Sequence, residues 1–225
     1  MAGPHILKKS HDALPTRWYH TIMNPDEITD LVREQAPYVF DRMFSAMDKV
    51  RERLDRVTKA LSDAGVPYAV IGGNAVAAWV ATVDDGAVRS TKDVDILLAE
   101  EDLERATTAL QAAGFHPTKT INVTMFLDGK DGKPSQAVHV IWANKKVKPS
   151  YTTPSPSTDE SVDIAGKQIV DLLGLLKMKL VGFRRKDQVH ILDMIGVGLI
   201  DESWLPKLPS ELAERLQELL DDPDG

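Results

Sequence analysis

The 225-residue sequence predicts an α/β (α+β) fold: a small mixed β-sheet with flanking helices and helical extensions at both ends. Three observations carry that prediction. The apolar run Tyr68–Ile71 meets a glycine pair, Gly72 and Gly73, and an alanine-rich stretch follows to Trp79, which reads as strand, turn and helix. A second apolar run ends at Leu98 and opens with Asp93 and Asp95, two aspartates at i, i+2. Between Tyr38 and Asp63, the residues Phe40, Met43, Met47, Val50, Leu54, Val57 and Leu61 recur at threes and fours, the stripe of a long amphipathic helix.

Taken in order, residues 1–24 are poorly periodic, with Pro4 and Pro15, and read as an arm. Asp26 to Gln35 reads as a short helix, with Asn24 as cap and Pro25 at its first position. Pro37 interrupts before the long helix, whose Met43/Met47 stripe is expected to be core or a dimer seam. Ala64-Gly65-Val66-Pro67 ends that helix. After the strand–turn–helix unit, Glu101 to Ala113 reads as a helix closed by Gly114. Thr120–Leu127 and Gln136–Trp142 are β-rich runs joined by Asp128–Pro134, a hairpin turn whose two aspartates lack calcium-loop spacing and read as solvated. Lys148–Glu160 is rich in Pro, Ser and Thr, hence loop. Lys167–Ile195 has a helical pattern, and Glu211–Leu220 forms a last short helix. The organisation expected is an arm and short helix over 1–37, a main domain over 38–200 and a helical tail over 201–225.

Bulk properties narrow the function classes. A hydrophobic content of 43% and a charged content of 27% are ordinary for a globular protein. The net charge of −7 argues against broad duplex binding, which needs a basic footprint. With no cysteine there is no disulfide, thiol nucleophile or Cys-based zinc site. The first residues lack the apolar core of a signal peptide, and no apolar stretch is long enough to span a bilayer. A cytoplasmic protein without a membrane partner is the expectation.

The chemistry-bearing residues cluster in one stretch. Side chains alternate along a strand, so Asp93 and Asp95 point the same way, their Cα atoms roughly 6.5–7 Å apart. Two carboxylates on one face can share divalent cations. A glycine turn at a helix N-terminus lets the backbone approach a phosphate, and Asn74 could cap that helix while touching the same group. Together they point to metal-assisted chemistry on a nucleoside triphosphate.

This pattern resembles the DNA polymerase β-like nucleotidyltransferase superfamily. Within it, the chain looks most like the bacterial branch of AbiEii-like type IV toxin–antitoxin toxins and minimal nucleotidyltransferases. The resemblance rests on Gly72-Gly73, Arg89, Thr91, Asp93-Val94-Asp95, Lys177-Met178-Lys179 and Arg184-Arg185-Lys186-Asp187, and covers about residues 60–200. It implies a nucleotidyltransferase-like fold in which Asp93 and Asp95 hold Mg2+, and Gly72, Gly73, Asn74 and Lys179 meet the triphosphate. Arg89 would contact a phosphate or the base. A cognate antitoxin or a homodimer is the partner it admits.

One departure stands out. The family pattern has a third carboxylate on a neighbouring strand, and the matching run Ala137–Trp142 offers His139 and Ile141 instead. Three readings stay open: His139 serves as base or ligand, Asp163 supplies the carboxylate from elsewhere, or the chain binds nucleotide without transferring it. The late helix adds a clue. If it is continuous, Ile169, Leu172, Leu173, Leu176, Leu180 and Phe183 form one apolar stripe, with Lys179, Lys186 and His190 at its margin and Asp187 inside it. Inward-facing charge suits a triphosphate, whereas snorkelling lysines give the same pattern. Arg184 and Arg185 read as a solvated face.

The function expected is therefore magnesium-dependent transfer of a nucleotidyl group from a nucleoside triphosphate to an RNA, protein or small-molecule acceptor, in a toxin–antitoxin setting. The alternative is a catalytically degenerate nucleotide-binding or partner-binding module without the third carboxylate. Lys145, Lys146 and Lys148 form the other basic cluster, either an RNA track or a solvated loop.

Overall fold

A computed structural model describes residues 24–119 and 123–223 and divides the chain into two compact units, Met1–Met43 and Phe44–Gly225. The arm over 1–23, and the start of the β-run expected from Thr120, lie outside the described residues.

In the first unit, α1 (Pro25–Gln35) opens as its sequence dictates. Asn24 accepts from the Glu27 amide at 2.9 Å, Glu27 returns the bond to the Asn24 amide, and Pro25 takes the first position. A 3-10 turn, Ala36–Tyr38, leads into α2 (Val39–Asp63). The apolar stripe of α2 divides along its length. Val57 and Leu61 are fully buried and Leu54 packs on the core, but Phe40, Met43 and Met47 are exposed, so of the two readings of the Met43/Met47 stripe, core or dimer seam, the core one does not hold.

The second unit holds a seven-stranded mixed sheet in the order β3-β4-β5-β2-β1-β7-β6. Its strands are β1 (Ala69–Ile71), β2 (Val94–Leu98), β3 (Phe115–Lys119), β4 (Thr124–Asp128), β5 (Val138–Trp142), β6 (Ser161–Ile164) and β7 (Lys167–Val170). The middle strand, β2, runs antiparallel to β1 and parallel to β5. Consecutive residues of β1 and of the Ile96–Leu98 run are buried although they alternate faces, so both sides of the sheet centre are covered. Helix α3 (Gly72–Ala81) packs on β1 and β2, and α4 (Leu103–Ala112) packs on β3. Three further helices, α5 (Leu172–Gly182), α6 (Arg185–Gly196) and α7 (Ser210–Asp221), pack on one another.

Two elements differ from the sequence reading. Lys167–Val170 is not the start of a helix but the second strand of a hairpin. Ala165 and Gly166 take φ of 54° and 78°, which turns β6 back onto β7, and Asp171 then caps α5 by accepting from the Gly174 amide at 2.6 Å. Ile169 thus lies in a strand and not in the helical stripe. The late helix also breaks at Phe183, whose φ of 42° is left-handed, and α6 restarts as Asp187 reaches back to the Arg184 amide at 3.2 Å. The angular argument across Lys179, Lys186 and His190 therefore does not hold. Phe115–Lys119, unassigned in the sequence reading, forms the edge strand β3.

Candidate active site

Strand pairing assembles the site. Asp95 and His139 are register partners on β2 and β5, with His139 Nδ1 3.4 Å from Asp95 Oδ1. Asp93 lies one residue before β2, and its carbonyl accepts from Asn74 Nδ2 at 2.8 Å. Donor atoms of Asp93, Asp95 and His139 all lie within 4.8 Å of one another. Among the described residues, this is the group of acidic and histidine side chains spaced to hold a metal ion.

The glycine pair faces the same point. Gly72 has a φ of +71°, and a Cβ built there would strike the Asp95 carboxylate. A Cβ on Gly73 would sit 2.9 Å from Thr91 Oγ1, which lies 3.5 Å from Asp93 Oδ1. Only glycines let the chain turn this tightly over the carboxylates. Helix α3 starts at Gly72 behind Ile71 with no side-chain cap, so its first amides point out unclaimed by any side chain. Asn74 is not the cap; it ties α3 to the backbone of Asp93.

His139 titrates above its ordinary value of 6.5, chiefly through its hydrogen bond to Asp95, against the opposing effect of burial. The charges of Asp95 and Asp93 and a backbone hydrogen bond to Pro134 push the same way.

Of the other residues named from sequence, Lys179 lies within electrostatic reach of Asp95 and the rest are dispersed. Lys179 is buried at 6% exposure, with Nζ 3.5 Å from Asp187 Oδ1. Burial draws its ammonium below the ordinary lysine range, opposed by the charges of Asp187 and Asp95. Asp187, at 1% exposure, is pushed up by burial but held below 3.8 overall by Arg184, whose Nε lies 2.7 Å away, and by Lys179. Arg184 is thus a clamp on Asp187, not merely a solvated face. Lys186 is exposed on α6. Arg89 is engaged by Asp193, its Nε 2.8 Å from both carboxylate oxygens. Ile141 pairs with Leu97, one step deeper along β2 than the carboxylates. Asp163 sits exposed on the edge strand β6 and accepts from the Gly166 amide at 3.0 Å, so it supplies no third carboxylate.

Sequence reading missed Arg53 and Arg56, one α2 turn apart. They grip Asp128 from α2, with Arg53 Nε 3.0 Å and Arg56 Nη2 2.5 Å from its carboxylate. Burial pushes Asp128 up, but both guanidinium groups outweigh it and hold its pKa low. Asp128 is therefore a clamped residue at the end of β4, not a solvated turn aspartate. Two arginines on one helix face were the available signal, hidden by the many charges of α2.

A mixed sheet whose central strand starts with paired carboxylates, facing a glycine turn and a bare helix N-terminus, defines a nucleotidyltransferase fold. Residues 42–171 match the model of the family described as uncharacterised nucleotidyltransferase, and the chain belongs to that family. No curated protein matches it. Among solved structures, an antigenic nucleotidyltransferase-like protein from Paracoccidioides brasiliensis is similar at 16% identity, covering 80% of this chain and 91% of that one, at a TM-score of 0.46. The Megavirus polyadenylate synthase is 11% identical, covering 88% of this chain and 45% of that one, with a TM-score of 0.47. The structure of ANT(2'')-Ia in complex with adenylyl-2''-tobramycin is 12% identical, covering 74% and 84%, with a TM-score of 0.38. The family match, not these distant likenesses, carries the membership.

Proposed function

We propose that this chain transfers a nucleotidyl group from a nucleoside triphosphate to an acceptor hydroxyl or phosphate in a magnesium-dependent reaction. The observation that carries the reading is the convergence of Asp93, Asp95 and His139 within 4.8 Å beside the glycine turn.

The donor set fits a hard cation: two carboxylates supply oxygens on one face, and Asp93 and Asp95 would hold it. When bound, magnesium supplies charge neutralisation at the triphosphate and lowers the pKa of an attacking hydroxyl. The protein's own residues do the rest. The amides of Gly72 and Gly73 bind phosphate oxygens at the N-terminus of α3. Lys179, buried and paired with Asp187, lies within electrostatic reach of Asp95 and adds positive charge on that side of the carboxylates. Asn74 holds Asp93 in place through its carbonyl. In its neutral form His139, held beside Asp95, takes the proton of an acceptor hydroxyl. The acceptor oxygen bonds to the α-phosphorus as the bond to pyrophosphate breaks.

The imidazole in place of a third carboxylate favours a second reading, a module that binds nucleotide without transferring it. Labelled triphosphates incubated with total cellular RNA separate the two: pyrophosphate release with labelled product supports transfer, and magnesium-dependent binding without release supports the module. Asp93→Asn with Asp95→Asn should abolish magnesium-dependent triphosphate binding while leaving the fold intact, since paired like charges repel without a cation. Equal affinity in parent and variant would refute the metal assignment. The toxin–antitoxin setting rests on the sequence resemblance. Among the described residues no helix is long and apolar enough to cross a membrane.

A further inference from the structure

Beside the carboxylates, but outside the machinery just described, lies a cavity of about 370 Å³ lined by Lys49, Glu52, Arg53, Arg56, Asp128 and Lys133, with Gly132 and Gln136 completing it. Four cations there face two carboxylates, a local excess of positive charge in a chain whose net charge is −7. Arg53 is 4% exposed and Arg56 only partly exposed; Asp128 fixes both and Glu52 lies 3.8 Å from Arg56 Nε, so these four groups form an ordered wall whose charges balance, and the excess stands on Lys49 and Lys133. Lys49 and Lys133 have no ion-pair partner among the described residues.

The cavity shares two walls with the candidate active site. Arg53 Nη1 donates to the carbonyl of Lys92 at 3.5 Å, one residue before Asp93. The turn Pro134–Gln136, whose last residue lines the cavity, also offers the Pro134 carbonyl to His139, and Ala137 accepts from the Val94 amide at 3.5 Å. It thus adjoins the β5 side of β2, whereas the glycine turn follows β1 on the other side. The glycine turn and this cavity flank the carboxylates from opposite sides of β2.

We propose that this cavity binds a phosphate group of the acceptor, holding it while the acceptor's hydroxyl reaches His139. The inference rests on the transferase reading and specifies its acceptor as a phosphate-bearing molecule, either the 3′ end of an RNA strand or a free nucleotide. The two lysine charges left unbalanced on an ordered arginine–carboxylate wall favour such an anion over a neutral or basic acceptor.

The test uses the full chain with three probes: a five-nucleotide RNA with a free 3′ hydroxyl, a nucleoside monophosphate, and inorganic phosphate. Lys49→Ala with Lys133→Ala should weaken binding of the RNA or the monophosphate about tenfold and lower the salt dependence of RNA binding by roughly 0.7 in log–log slope per lost contact. Magnesium-dependent triphosphate binding should not change. Loss for RNA alone assigns an RNA end, and equal loss for the monophosphate assigns a free nucleotide. Lys145→Ala with Lys146→Ala serves as the control and should leave probe binding intact. The proposal is overturned if no probe binds while triphosphate does, or if the control pair weakens binding and the Lys49/Lys133 pair does not. Loss of triphosphate binding in the parent would instead sink the transferase reading itself.

Discussion

Asp95 and His139 face each other as register partners across the β2–β5 ladder, with Nδ1 3.4 Å from Oδ1. That pairing makes the imidazole both a neighbour of the candidate metal ligands and a competitor for them. A protonated His139 satisfies Asp95 with its own positive charge, and a cation satisfies it better only after that proton leaves.

The pH dependence follows from the raised pKa of His139. Its folded value lies above 6.5, so the ion pair with Asp95 contributes stability fully below pH 6.5 and loses it as pH rises through the folded value. Magnesium binding runs the opposite way and should strengthen over that same rise. Titration calorimetry of magnesium with a triphosphate analogue, between pH 6 and 9, reads this. In His139→Gln the pH dependence should flatten, and an unchanged profile would remove His139 from the site.

Register decides where a third carboxylate would work. His139 pairs with Asp95, and Ile141 pairs with Leu97 deeper in the sheet. His139→Asp should therefore tighten magnesium binding about tenfold, by adding a hard, charged donor in reach of the pair. Ile141→Asp should give no gain and should destabilise the fold, because it places a carboxylate against the buried sheet centre. Tighter binding in Ile141→Asp would show that the strand register is wrong.

Gly72 offers a test of the turn. Its φ of +71° makes Gly72→Ala cost about 1–2 kcal/mol in backbone strain alone. The new methyl would also displace the Asp95 carboxylate, so magnesium-dependent binding should fall together with melting temperature. Gly166→Ala is the matched control, since Gly166 has a φ of +78° but nothing within 4 Å of a built Cβ. It should lose stability and keep binding.

What was legible in the sequence was local. The Asn24–Pro25 start of α1, the long α2, and the strand–glycine–helix unit followed by a strand opening in Asp-Val-Asp all have signals within a few residues. What failed depended on competition between periodicities. Ile169 fits a helical stripe with Leu172 and Leu176 as well as it fits strand β7, and the turn at Ala165-Gly166 that decides the matter is a weak signal next to the eleven residues of α5. The break at Phe183 was equally hidden, since a left-handed phenylalanine leaves no trace in composition. Long-range pairs such as Arg53 with Asp128, 75 residues apart, need the sheet order before they can be seen.

The buried cluster on α5 and α6 gives the last prediction. His190 has its Nδ1 buried without a hydrogen-bond partner among the described residues, and its pKa is lowered to about 4. Burial is the main cause and the Lys179 charge adds to it; Lys186 pushes the same way, while Asp187 and Asp193 oppose. The unfolded chain takes up a proton near pH 6.5, the folded chain only near 4, so stability is full above pH 6.5 and declines as pH falls between those values. The loss should be on the order of 2–3 kcal/mol. Asp187 acts in a lower window: its stabilising contribution is present above 3.8 and disappears as pH falls through its depressed folded value. His190→Leu should therefore abolish the decline between pH 6.5 and 4 while leaving the steeper loss below it, and at pH 7 it should cost little because an unsatisfied buried nitrogen is removed. Asp187→Asn should instead destabilise at neutral pH by about 3–5 kcal/mol, because it strands the buried Lys179 charge. Chemical denaturation of the three proteins at half-unit pH steps resolves the two windows. A decline between pH 6.5 and 4 that persists in His190→Leu would show that another group carries it.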